Sequence, residues 1–274
     1  SNDIYFDALD AFSDTTEGDV KKPLVVMGSE GAGKSALLAN WVLERRKHRH
    51  KDEFLFHYYA ECTEETQSLV NMLMCLEKAL KDFFQLREMD VPDTEERASW
   101  ALLRFLTQAA KKHAIPRIVV VIDGVNLLSS SRAPTGSLHW LPMEMPPSVR
   151  FVLSTLHKEK PRGMGDSEEF TDDSDLPLTK TASELVRREC STLMMEALSV
   201  HVRTGIVKDF CAESMKVDED FEISETNQFR VVTAYASVSP LFLRCFLCMV
   251  RLYHQLSGES LDGLIDLFLT GETA

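Results

Sequence analysis

The sequence predicts an α/β fold, a three-layer sandwich around a central parallel sheet, followed by a small all-α helical domain. Three observations carry this expectation. Over the first 160 residues, short apolar runs bounded by turn residues alternate with longer stretches of helical periodicity. The strongest run, RIVVVIDGV at 117–125, is apolar at consecutive positions, as a strand buried on both faces must be. Beyond residue 176 the spacing reads as helical, with no run of comparable strength.

The elements follow in order. LVVM at 24–27, bounded by Pro23 and Gly28, is the first strand. A helix over 35–47 comes next, and its basic end at 45–51 suits the negative pole of the helix dipole as a solvated terminus. FLFHYYA (54–60) is the second strand. Residues 66–86 and 96–113 carry apolar side chains at helical spacing, which makes their Met and Phe residues core. SVRFVLST (148–155) is a further strand. GMGDSEEFTDDSD (163–175) has six acidic and no basic residues and reads as a linker, with Ser167, Thr171 and Ser174 as candidate phosphorylation sites. Helices are expected over 181–200, 203–215, 225–237, 240–256 and 259–269. The domain limits are therefore 1–160 for the sheet domain, 161–176 for the acidic linker and 177–274 for the helical domain.

Composition narrows the function classes. The 274 residues carry a net charge of −13, which opposes nonspecific binding to nucleic acid or anionic membranes. No run of eighteen apolar residues exists, so no membrane span is expected. The start is abrupt, so a targeting signal outside these residues stays open. Six scattered cysteines suit a reducing compartment. Cys245-x-x-Cys248 has the spacing of a zinc half-site but no matching second half, and reads as two small core residues one helical turn apart.

The chemistry sits in Gly28-Ser29-Glu30-Gly31-Ala32-Gly33-Lys34-Ser35, a G-x-x-x-x-G-K-[ST] motif between a strand and a helix. Chance produces such a match in roughly one chain of this length in a hundred. Glycines let backbone N–H groups approach phosphates, and the helix start adds its positive pole. Lys34 is expected at the β- and γ-phosphates, with Ala36 next to the hydroxyl of Ser35 at the helix start. Ser35 is expected to ligate Mg²⁺. Asp123, where the apolar run 119–122 ends, supplies the second half of a magnesium site. This is the layout of a P-loop sandwich. Lys34 and Asp123 are the candidates for any catalysis. No N-K-x-D element follows the later strand, so ATP or ADP is favoured over guanine nucleotides.

With these motifs in place, the chain resembles the NACHT branch of the signal-transduction (STAND) NTPases, in the group that contains nephrocystin-3 and telomerase-associated protein 1. The blocks are PLVVMGSEGAGKSALLANW, FHYYAECTEETQSLVNML, VVVIDGVNLLSS, LHWLPMEMPPSVRFVLSTL and SVSPLFLRCFLCMVRLY, spanning about 20 to 255. Trp140, Leu141, Pro142, Pro147 and Val149 are the more specific part. The resemblance implies a nucleotide-binding module of a larger protein, acting as a switch or signalling scaffold in the cytoplasm, with a ciliary association for this group. It implies partner proteins bound through regions outside this fragment and nucleotide-dependent self-association. It also implies a sensor hydroxyl at Ser154 or Thr155 and a proline near adenine, Pro240.

Two departures bear on activity. Relatives carry D-G-x-D-E at the second motif, whereas Asp123-Gly124 is followed by Val125, Asn126 and Leu127. Relatives also place an arginine where Leu156 stands. Magnesium binding survives these changes, and a carboxylate to orient water is lost. Three readings follow: a nucleotide-gated switch with slow or no hydrolysis, an ATPase whose missing groups come from a partner or from Glu61 or Glu64, and a structural module.

Overall fold

The computed structural model describes residues 3–15, 22–48, 53–112, 117–158, 177–217 and 221–257, with 263, 265 and 266. The expected linker core at 163–175, its three hydroxyl residues and most of the expected helix 259–269 lie outside the described residues. The chain divides into two compact units: residues 1–29 with 34–195, and residues 30–33 with 196–274.

The first unit is the α/β sandwich. Helix α1 (Asp3–Asp14) precedes β1 (Leu24–Gly28) and α2 (Lys34–His48). Then come β2 (Glu53–Tyr59), α3 (Leu69–Phe84), α4 (Glu95–Ala110), β3 (Arg117–Asp123), β4 (Val149–Leu156), α5 (Lys180–Arg187) and β5 (Ser191–Met194). The five strands run in the order β2-β3-β4-β1-β5, with every neighbouring pair parallel.

Strand alternation divides the core between the two faces of the sheet. Val25, Met27, Ile118, Val120, Ile122, Phe151 and Leu153 pack with the buried sides of α3, α4 and α5. Leu24, Val26, Val119, Val121 and Val152 pack with α1 and α2 through Leu9, Leu37, Leu38, Trp41 and Val42. That two-sided burial is why these strands read as continuous apolar runs. Trp140 and Leu141 also join the first of these cores.

Helix starts follow local chemistry. The Ser68 hydroxyl accepts from Asn71 N–H at the head of α3, and Thr179 accepts from Ala182 N–H at the head of α5. The expected helix at 66 starts three residues late because a short 3-10 turn, Glu65–Gln67, comes first.

Four expectations are corrected. The expected helix 181–200 is α5 followed by β5, so the sheet unit extends to Met195 and the helical unit starts near 196 rather than 177. Strand β5 is four residues long and largely exposed, so it has no apolar run to announce it. It forms because the open edge of β1 needs hydrogen-bond partners, with Leu24 opposite Ser191 and Met27 opposite Met194. Helix α1 was not anticipated at all, although its Leu9 is fully buried.

The third correction concerns the basic run at 45–51. Arg45 is 3% exposed rather than solvated. Its guanidinium donates to Glu53 at 2.6 and 2.7 Å, to Asp10 at 2.6 Å and to Asp14 at 2.8 Å. Hydrogen bonds from Arg45 to Glu53 and Asp14 outweigh the opposing effect of burial and raise its pKa, so it stays charged.

The second unit contains α6 (Val200–Met215), α7 (Glu225–Thr233) and α8 (Pro240–Ser257), with a 3-10 turn at Tyr235–Val238. Its core is Val207, Cys211, Phe221, Ile223, Val231, Val232, Leu243, Phe246, Leu247, Val250 and Ile265. Cys245 and Cys248 are exposed, which corrects their reading as core residues. The buried face of α8 is set by Leu243, Phe246, Leu247 and Val250, and the two cysteines lie on the opposite side of the helix. Among the described residues no helix is long and apolar enough to cross a membrane.

Candidate functional site

The carboxyl ends of parallel strands are where an α/β sheet presents its ligand-binding groups. Gly28 ends β1, Asp123 ends β3 and Tyr59 ends β2. Pairing sets their lateral order. Val26 lies opposite Ser154, Met27 opposite Thr155 and Gly28 opposite Leu156. Tyr59 lies opposite Asp123.

Lys34 is the first residue of α2, with Ser35 and Ala36 behind it in the first turn. Its ammonium donates to the carbonyls of Gly28 at 3.1 Å and Ser29 at 2.7 Å, so the loop's own oxygens hold it at the mouth of the strand. The Gly28 carbonyl also accepts from His157 N–H at 3.2 Å, which ties β1 to the segment after β4.

The turn residues Glu30, Gly31, Ala32 and Gly33 group with the second unit. Gly33 has φ +90°, a conformation that a side chain would strain. Within that unit the Gly31 carbonyl accepts from Leu241 N–H and from the Ser239 hydroxyl, both at 3.3 Å. Pro240, between them, opens α8, where its missing N–H costs no helical hydrogen bond.

Asp123 is 2% exposed and Ser154 is 1% exposed. The Ser154 hydroxyl donates to the Asp123 carboxylate. The same oxygen accepts from Gly124 N–H at 2.8 Å. Ser154 therefore fixes both the carboxylate and the turn after it. Thr155, the alternative sensor hydroxyl, is fully buried and donates to the Leu156 carbonyl at 3.3 Å, away from Asp123. The structure thus joins Asp123 with Ser154, and Lys34 with Gly28 and Ser29.

The turn after Asp123 explains the altered second motif. Gly124, the glycine this motif shares with the relatives, adopts φ +74° and turns the chain away from Asp123. Asn126 has a task of its own, since its Oδ1 accepts from Leu156 N–H at 3.3 Å and braces β3 against β4. Sequence reasoning saw Asn126 only as a lost acid. Its role depends on strand adjacency, and the sequence does not spell that out.

Glu61 and Glu64 are exposed just past β2. Ala60 N–H donates to the Asp123 carbonyl at 3.1 Å, so Glu61 is one residue from the Asp123 backbone. Tyr59 was also missed. Burial, then the Asp123 charge, pushes its hydroxyl pKa up to about 12.

The donor set fits a nucleotide polyphosphate with magnesium. A loop of backbone N–H groups, an ammonium and a helix start suit phosphate oxygens. Ser35 and Asp123 offer the hydroxyl and carboxylate oxygens that a hard cation takes.

No family model matches the chain. It is 24% identical over 141 residues to rat Tetratricopeptide repeat protein 41, covering 50% of this chain and 11% of that protein. The mouse counterpart is 23% identical over the same length. The chain thus spans 11% of the length of these relatives. Among solved structures, Drosophila ORC bound to DNA matches over 99% of this chain and 60% of its own, with a TM-score of 0.62 at 13% identity. The Aeropyrum pernix ORC1 protein in complex with DNA covers 95% of this chain and 61% of its own, with a TM-score of 0.55 at 11% identity. Caenorhabditis elegans PCH-2 covers 98% of this chain and 66% of its own, with a TM-score of 0.54 at 12% identity. With the phosphate-loop motif after β1 and Asp123 at the end of β3, these likenesses identify the fold as that of an AAA+-like P-loop NTPase.

Proposed function

We propose that the chain is an adenine-nucleotide-binding switch module of a larger multidomain protein, of the NACHT type, with slow or no intrinsic hydrolysis. The observation that carries this reading is the turn after Asp123. Asp123 and Ser35 can hold magnesium, but Asn126 and Leu127 stand where the resemblance places carboxylates, and the Asn126 side chain is engaged by Leu156 N–H. Positioning and charge stabilisation provide nearly all phosphoryl-transfer catalysis, so a site that grips without orienting water reports nucleotide state rather than consuming it.

Ser154 suits the reporting role. It bonds the carboxylate beside the metal position and the Gly124 backbone together, so a change in metal or γ-phosphate reaches the main chain. Pro240 is assigned to the adenine side, and the cytoplasmic, cilium-associated scaffold role with partner proteins follows the NACHT resemblance. The DNA named with the ORC structures is not carried over, because a net charge of −13 opposes it.

The test is purification without added ligand, identification of any retained nucleotide by mass spectrometry, and steady-state turnover. Retained ADP or ATP with turnover far below the typical enzyme rate of about 10 per second supports the switch. Robust turnover from the isolated chain overturns it. That outcome selects the second reading, an ATPase using Glu61, which the Ala60–Asp123 hydrogen bond favours. Glu61→Gln would then abolish the turnover.

A further inference from the structure

Helix α8 has two faces. Leu243, Phe246, Leu247 and Val250 fill the core of the second unit. On the other side, Met249 is 48% exposed, Leu252 56% and Leu256 78%, and Cys245 and Cys248 are also exposed. At 100° per residue these five side chains fall within about a third of the helix circumference, a continuous stripe about 17 Å long. An apolar stripe of that length is unusual on a surface that nothing covers.

The stripe is bordered by charge of one sign. Arg244 and Arg251 lie along one side of it, and the sequence PLFLRCFLCMVRLYHQLS of α8 contains no acidic residue. This stands out in a chain of net charge −13. Among the described residues Arg244 is exposed and takes part in no ion pair, and Arg251 rests over the Phe210 ring at 5.5 Å. The border that α8 itself supplies is therefore cationic.

We infer that the outward face of α8 docks an amphipathic helix whose apolar stripe is bordered by Asp or Glu. The apolar stripes bury each other, and the carboxylates meet Arg244 and Arg251 at the edge of the contact. A second copy of α8 is the poorer occupant. Laid antiparallel on the same face, it sets Arg244 and Arg251 against the same two arginines of its partner. The acidic helix belongs to a separate partner protein. The inference stands on α8 alone and does not depend on nucleotide binding.

The test uses the whole chain and two synthetic 18-residue helical peptides. They share one leucine stripe, bordered in one peptide by Glu and in the other by Lys. Binding is read by fluorescence anisotropy at low and high salt. The Glu-bordered peptide is expected to bind about tenfold more tightly, with the gap narrowing as salt rises. Arg244→Glu is expected to shrink or invert the preference, and Leu252→Ser to weaken both peptides. Bound peptide should slow maleimide labelling of Cys245 and Cys248. Circular dichroism of each variant separates lost docking from lost folding. Equal affinity for the two peptides overturns the inference, as does no binding of either. Concentration-dependent dimerisation of the wild-type chain that Leu252→Ser abolishes also overturns it, and identifies the second copy as the occupant.

Discussion

The two ends of the central sheet handle charge in opposite ways. At the amino end, charges close on one another. Arg45 is saturated by Glu53, Asp10 and Asp14, and Arg117 donates to the Asp14 side chain at 3.0 Å and its carbonyl at 3.1 Å. Arg150, nearly buried, donates to the carbonyls of Thr15 at 2.9 Å and Pro147 at 2.6 Å. At the carboxyl end, Lys34 donates to the carbonyls of Gly28 and Ser29, and Asp123 accepts from the Ser154 hydroxyl. A cluster that neutralises itself holds a fold together. A cation on backbone carbonyls and an anion on a hydroxyl, both at one sheet edge, suit a ligand that carries both signs, such as a polyphosphate with its metal.

The comparison breaks most visibly at Arg45. Arg45→Ala leaves the buried Glu53 carboxylate without its cation, at an expected cost of about 3–5 kcal/mol in denaturant unfolding. Lys34→Ala, measured without nucleotide, should cost no more than about 0.5 kcal/mol. If the two variants are equally unstable, the distinction between the two ends is wrong. The order should reverse for ligand binding. Lys34→Ala should weaken ADP or ATP about a hundredfold, or ~3 kcal/mol, and abolish the nucleotide-induced rise in Tm.

Glu77 sharpens the contrast from a third position. It is a fully buried carboxyl in α3, and among the described residues neither oxygen has a hydrogen-bond partner. Burial pushes its pKa from 4.5 up to about 8. Below the unfolded value both states are protonated and this group costs nothing. As pH rises towards the folded value the unfolded chain ionises first, so stability falls, and above it the loss is constant. Glu77→Leu should flatten that decline and raise Tm at pH 8 by about 5 °C or more, with little change at pH 4. An unchanged pH profile would mean that Glu77 is ionised and paired.

The smallest expected effect is at Ser154. Ser154→Ala removes the hydrogen bond to Asp123 and the acceptor of Gly124 N–H, each worth about 1 kcal/mol. Nucleotide affinity measured with magnesium should fall several-fold, while affinity measured with a chelator should not move. Equal losses under both conditions would make Ser154 a packing residue.

Much of this was legible in the sequence because it rests on local pattern. The glycine-rich motif, the apolar strands and Asp123 announce themselves within a few residues. What the sequence hid depends on distant neighbours. Strand β5 exists because β1 has an open edge. Arg45 looks like any basic helix end until Asp10, Asp14 and Glu53 arrive around it. Asn126 reads as a missing acid until β4 lies beside it. The cysteines of α8 failed for a different reason. An apolar helix shows its periodicity plainly, but the phase that faces inward is set by the rest of the core.

The Arg45 cluster also orders events during synthesis. Helix α1 leaves the ribosome well before its partners: Asp14 must wait for Arg117, 103 residues later, and the Thr15 carbonyl for Arg150, 135 residues later. A segment made early and locked late pays a long loop closure before its ion pairs form. Until Arg150 emerges, the acidic side of α1 and the uncovered Trp41 face of α2 are open to chaperones. Stalling translation just before and just after that point should switch the protease sensitivity of α1.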